Sequence, residues 1–148
     1  MKQTAEKIKK VAMDLDNALE KRDIELITSF FSDDCEVELL QLTLKGKDGV
    51  RKWLNWMFAQ VKEFSLEPVI IIVEGDVFFE EFIVKATLPD GKKLVSKQAE
   101  VLIYENYKIK SLRLYFDRLD FADAITTGFI SRKIVESVIK KSLEGIQD

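Results

Sequence analysis

Four consecutive segments rich in Val, Ile, Phe and Tyr fill the stretch from Leu66 to Asp117, and no helical periodicity interrupts them. They read LEPVIIIVEGD, VFFEEFIVKATLPDG, KKLVSKQAEVLIYENY and KIKSLRLYFD. β-branched and aromatic side chains suit a pleated surface, and turn residues separate the segments, so the pattern predicts successive antiparallel strands. PDG is a hairpin turn in which Gly91 supplies a positive φ, and ENY is a weaker one. What precedes and follows this block is helical. Ile8, Val11, Ala12, Leu15, Ala18 and Leu19 recur with the spacing of one helical stripe, ending near Arg22. Asp23 is placed to cap a short second helix in DIELITSFF, because its side chain can accept from the exposed amides of the first turn. SDDC is expected to break that helix and CEVELL to alternate as a first strand. GKDG then separates the strand from a third helix with Val50, Trp53, Leu54, Met57, Phe58 and Val61 on one side. After the strands, Ile130, Ile134 and Val138, with Val135, Ile139, Leu143 and Ile146, predict a long amphipathic C-terminal helix.

Helices followed by a run of antiparallel strands define an α+β class, in which the helices cover one face of one strongly curved, mostly antiparallel sheet. Long twisted strands wrapped over a helix leave a conical cavity. At 148 residues the chain has the size of one ordinary domain. The expected organisation is a cone domain over residues 1–127 and a helix over 128–148 packed on the domain or on a partner subunit. The longest apolar run, PVIIIV, is too short for a bilayer, and MKQTAEKIKK does not resemble a signal peptide, so a cytoplasmic location without a membrane partner is expected. The net charge of −3, with both signs interleaved, disfavours a nucleic-acid partner. A single cysteine and no histidine preclude an intrachain disulfide and leave no nitrogen and sulfur set for a transition metal; neither metal nor cofactor is expected. Any acid or base must be Asp, Glu, Tyr, Lys or Cys.

Several short motifs occur in a telling order: FFSDD before the first strand, a glycine before the aromatic helix, LPDG at Leu88 to Gly91, KI at Lys108 and Ile109, and RLYFD at Arg113 to Asp117. In this order and spacing the chain, over roughly Ala5 to Ala124, resembles the nuclear-transport-factor-2-like superfamily, and within it the SnoaL-like and limonene-epoxide-hydrolase-like group. The resemblance implies a cystatin-like cone. In the limonene-epoxide-hydrolase-like members one aspartate takes a proton from water, another protonates the epoxide, and an arginine holds the two. Their last strand reads approximately W-R-D-Y-F-D, and LRLYFD here places Leu112 at the tryptophan and Leu114 at the catalytic aspartate. Their E-R-V-D segment matches EFIV, with Phe82 at the arginine and Val84 at the aspartate. All three charged positions are apolar, so epoxide hydrolase activity is not expected. The resemblance also turns Leu112, Leu114 and Phe116 toward the cavity. Alternation then puts Arg113, Tyr115 and Asp117 on the other face, with Asp117 expected to accept hydrogen bonds from the backbone that follows.

On the strand from Leu94 to Tyr104 one parity carries Ser96, Gln98, Glu100, Leu102 and Tyr104. If that set faces inward, Gln98, Glu100 and Tyr104 are the polar groups of the cavity, and Glu100 is the best single acid or base, since a carboxyl against apolar walls has a raised pKa. The competing reading is an exposed glutamate on a convex sheet. Glu38, with Glu36, falls near the positions at which the epoxide hydrolases hold water, although alternation with Cys35, Val37 and Leu39 favours an outward row. Trp56 lies off the stripe of the third helix and is a ligand or interface candidate, whereas Trp53 and Met57 read as core. GKDGVRK lacks the spacing of a phosphate loop. Cys35 reads as a small core residue.

Two functions follow. The first is a SnoaL-like domain with an apolar pocket lined by Phe82, Val84, Leu102, Leu112, Leu114 and Phe116, with Trp56 and Gln98, binding a small apolar molecule as a homodimer without hydrolase chemistry. The alternative is a SnoaL-like or ketosteroid-isomerase-like enzyme in which Glu100 or Glu38 moves a proton next to a carbonyl and Tyr104 polarises the oxygen. A pure oligomerisation module, with no cavity, is a third option.

Overall fold

The computed structural model describes residues 2–122 and 128–146. The chain divides into two compact units, one ending at Phe116 and the other beginning at Asp117. The first unit opens with α1 (Ala5–Lys21), whose N-terminus is closed by the Thr4 hydroxyl accepting from the Lys7 amide at 3.3 Å. Asp23 caps α2 (Ile24–Ser29) as expected, accepting from the Leu26 amide at 3.1 Å. Then come β1 (Phe31–Leu39), β2 (Leu42–Lys45), α3 (Gly46–Gln60), β3 (Glu63–Glu74), β4 (Val77–Thr87), β5 (Lys93–Glu105) and β6 (Lys108–Tyr115). The second unit holds a 3-10 turn (Arg118–Phe121) and α4 (Phe129–Ser142).

The six strands form one sheet in the order β2-β1-β6-β5-β4-β3, antiparallel except for the parallel pair β1 and β6. Register shifts between Pro68 and Ile70 and between Ile103 and Tyr104 mark bulges, which bend a strand and sharpen its twist. The concave side is filled from both helices. α1 lies over β3 and β4 and buries Ile8, Ala12 and Leu15; α3 lies over β1 and β2 and buries Val50, Trp53 and Leu54. Facing them are Phe31 and Val37 of β1, Phe78 of β4, Leu102 of β5 and Leu112 of β6, all in one cluster. Gln3 ties the start of α1 to the ends of the hairpins: its amide nitrogen donates to the Asp76 carboxylate at 2.7 Å and the Tyr104 carbonyl at 2.9 Å, and its oxygen accepts from the Tyr107 amide at 2.7 Å.

Three local expectations change. SDDC does not break the chain between helix and strand, because β1 already begins at Phe31 and is irregular only in its pairing with β6 between Phe31 and Glu36. The strand β2 was not foreseen, and it is a four-residue edge too short to show alternation. GKDG is the first turn of α3 rather than a linker. Gly49 packs there against β2: a Cβ at this position would meet Leu44 atoms at 3.0 Å, so a larger residue would push the helix off the strand. No helix among the described residues is long and apolar enough to cross a membrane.

Candidate active site

The paired strands β4 and β5 place Glu80 directly opposite Glu100, and both side chains point to the concave side, with exposures of 1% and 8%. Alternation makes this unavoidable once Phe78 and Phe82 are inward on β4 and Leu102 is inward on β5. Asp16 comes from α1, one residue past the buried Leu15 and four past the buried Ala12, on the edge of the helix stripe that covers the sheet. Carboxylate oxygens of Asp16, Glu80 and Glu100 lie within 4.8 Å of one another. Like charges directly across a ladder repel, and burial removes the water that would screen them. Protons therefore stay. Burial, and secondarily the charges of Glu80 and Glu20, push Asp16 up to about 8. Burial pushes Glu80 up to about 7. Glu100 is held well above the ordinary range by burial and then by Asp16 and Glu80.

Tyr104, on the same face of β5 as Glu100, is 1% exposed, and its hydroxyl has no hydrogen-bond partner. Its pKa is raised first by burial and then by the negative charges of Glu100, Asp16 and Glu80, so the phenol stays protonated beside the carboxyl cluster. The Oε2 atom of Glu80 is likewise buried and unpartnered. Gln98, next to Glu100 on the inward face, donates to the Ser96 hydroxyl at 3.2 Å. Arg22 at the end of α1 turns its guanidinium to the backbone carbonyls of Phe58, Val61 and Lys62. A buried acid, a second acid that holds its proton, and an unpartnered phenol are the elements of general acid-base chemistry.

The residues singled out from the sequence fall into two groups. Gln98, Glu100, Leu102 and Tyr104 share the inward face of β5, with Phe82 and Val84 inward on β4 and Leu112 inward on β6, all buried. Leu114 and Phe116 are half-buried, and Leu114 pairs directly with Glu100. Glu38 is not brought to this group: Val37 and Leu39 take the inward positions of β1, and Glu38 pairs on the opposite face with Arg113. Trp56 is 51% exposed, while Trp53 beside it is core. Asp117 accepts from the Leu119 amide at 2.9 Å and caps the 3-10 turn, as expected for a strand-end aspartate. Cys35 is buried, and burial pushes its thiol up.

Asp16 and Glu80 were missed. Each had a signal. Placing Phe82 and Val84 inward fixes the parity of β4 and hence Glu80, and Asp16 completes the series Ile8, Ala12, Leu15, Asp16, Leu19 at helical spacing. Of the two aspartate positions lost, only Leu114 has an acidic neighbour, Glu100 directly across the ladder; Glu80 lies four residues along the inward face of β4 from Val84.

The SnoaL-like domain family matches residues 14–112, which include every residue of this cluster. The chain belongs to the SnoaL-like family. Among solved structures, it is similar to an NTF2-like protein of unknown function from Burkholderia pseudomallei, with a TM-score of 0.75 and 18% identity over 82% of this chain and 98% of the other. It is also similar to a putative SnoaL-like polyketide cyclase from Jannaschia (TM-score 0.74, 10% identity, 87% and 99% covered). A third is SalBIII, an epoxide hydrolase/cyclase-like enzyme of pyran ring formation in the polyether salinomycin (0.69, 18%, 78% and 94%). At these identities the similarity establishes the fold. No curated protein matches the sequence.

Proposed function

We propose that this SnoaL-like domain takes a small, largely apolar molecule against the inward faces of β4, β5 and β6 and moves a proton next to an oxygen of that molecule. The observation that carries this reading is the cluster of buried Glu80 and Glu100 with half-buried Asp16 beside the Tyr104 hydroxyl, with Glu80 Oε2 and that hydroxyl both lacking partners. Glu80, raised to about 7, exchanges its proton near neutral pH and is the base. Glu100, held protonated, and Tyr104 donate to the substrate oxygen as charge develops on it, in the manner of a carboxylic acid kept neutral by an apolar site. Phe82, Val84, Leu112 and Leu114 supply apolar walls. Limonene-epoxide-hydrolase chemistry is not proposed, because its arginine and both aspartates are replaced by Phe82, Val84 and Leu114.

The test is deuterium incorporation into a panel of neutral, enolisable cyclic ketones in heavy water, followed by proton NMR. Exchange catalysed by the wild-type chain and lost in Glu80→Gln and Tyr104→Phe supports the reading. A wild-type rate no faster than buffer across the panel, in a chain that still binds those ketones, leaves binding without chemistry. That second reading is favoured by the apolar residues at the three hydrolase positions. The apolar side chains exposed on the outer sheet face, among them Ile70, Ile72, Val95 and Tyr115, support the proposal of a homodimer. Light scattering of the purified chain tests it directly.

A further inference from the structure

The carboxyl cluster has a second capacity besides proton transfer. Its ligand atoms come from three different elements, α1, β4 and β5, and converge to within 4.8 Å of one another. A cation equidistant from three oxygens at that largest separation lies about 2.8 Å from each, and calcium contacts run at roughly 2.3–2.6 Å, so closure by a few tenths of an ångström completes the contact. Magnesium demands about 2.0–2.1 Å and near-ideal octahedral geometry, a larger contraction of side chains fixed on packed elements. If each carboxylate binds through both oxygens, the three supply about six of the six to eight oxygens that calcium takes. Two atoms outside any hydrogen bond point to a ligand here: Glu80 Oε2, a carboxyl oxygen, and the Tyr104 hydroxyl, on a side chain that is 1% exposed.

We propose that Asp16, Glu80 and Glu100 together bind calcium. No inward-facing lysine or arginine among the described residues neutralises the three, and Arg22 is committed to the carbonyls of Phe58, Val61 and Lys62. Neutralisation comes from protons or from a cation. The two are alternatives at one site, so calcium regulates the proton chemistry: a loaded cluster has no proton to accept or give. The inference concerns the site of the proton-transfer reading, but it requires only the geometry of the cluster and holds whether or not the chain catalyses exchange.

The titratable groups around the cation are few. Asp16 and Glu20 come from α1, Glu80 from β4, and Glu100 and Tyr104 from β5. The inward residues of α3, β3 and β6, such as Trp53, Ile71 and Leu112, carry no titratable group. Carboxylates ligate a cation only when deprotonated, so calcium binding at this cluster releases protons and tightens as pH rises.

Isothermal titration of the full chain with calcium chloride, backed by terbium luminescence excited through Tyr104 and Trp53, tests this. The expected result is one calcium per chain, affinity rising at least about tenfold between roughly pH 6 and 8, and a heat that depends on the buffer because protons are released. Glu80→Gln, Asp16→Asn and Glu100→Gln each weaken binding by more than the roughly 10–100-fold that loss of an outer-shell partner costs. Glu67→Gln, on the far face of the sheet, leaves it unchanged. Three inward variants guard against misfolding of any one, with the thermal transition by circular dichroism reporting the fold. No heat and no terbium emission up to millimolar calcium overturns the proposal. So does binding that survives in folded Glu80→Gln, which assigns the cation to surface carboxylates. Loss of ketone exchange with calcium binding intact rejects only the catalytic reading.

Discussion

Strand β4 presents the same two residue types to both of its faces: Phe78 and Glu80 point inward, Phe79 and Glu81 outward. Phe78 and Glu80 are 0% and 1% exposed, whereas Phe79 and Glu81 are half-buried. The same chemistry therefore has opposite consequences on the two sides. Inward, phenylalanine is core and glutamate holds its proton to a higher pH, because burial disfavours its charged form. Outward, charges find partners at little cost, as in the ion pair of Lys85 and Glu67 at 2.8 Å, with both side chains more than half exposed. Environment, set by parity, separates the two glutamates.

The comparison is broken most forcefully at the phenylalanines. Phe78→Ala should cost about 3–5 kcal/mol by urea unfolding, while Phe79→Ala should cost well under half of that. Equal losses would mean that the faces are misassigned. Next come the glutamates. The folded pKa of Glu80 is raised from 4.5 to about 7, so the folded state holds a proton that the unfolded state gives up, and stability contributed by that proton falls as pH rises through this window. Above it the buried charge costs at most about 3 kcal/mol. Glu80→Gln should accordingly leave stability unchanged near pH 4 and raise it progressively to about pH 8, seen as a flatter pH profile of the thermal midpoint. Glu81→Gln should stay within about 0.5 kcal/mol. A smaller effect is expected at Tyr104, where Phe removes a buried hydroxyl with no partner: a gain of about 1 kcal/mol in stability, together with loss of exchange activity. Smallest is Lys85→Ala, which should cost less than about 1 kcal/mol because its ion pair is exposed.

The leucine face of β6 was legible in the sequence because Leu112, Leu114 and Phe116 alternate with polar residues and the family resemblance turns them inward. Strand β5 instead carries apolar residues on both parities, Leu102 and Tyr104 on one and Val95, Val101 and Ile103 on the other, so an inward Glu100 and an exposed one stood as alternatives. VFFEEFIV is harder. Its apolar residues sit on both faces, so hydrophobicity alone gives no parity, and only the family resemblance at Phe82 and Val84 fixes it. Asp16 was obscured for a different reason. A polar residue at the edge of an apolar helical stripe reads as solvated until the position of the helix over β4 is known, and that is a tertiary fact. The edge strand β2 shows no signal because four residues hold too few alternations to count.

The central claim is that the inward carboxyls keep their protons near neutral pH. Carbon-13 NMR titration of the side-chain carboxyls, with resonances assigned through Asp16→Asn, Glu80→Gln and Glu100→Gln, measures it directly. Resonances of Asp16, Glu80 and Glu100 that move only above about pH 6 are predicted, whereas a chain in which all carboxyls have titrated by about pH 5 would contradict the account.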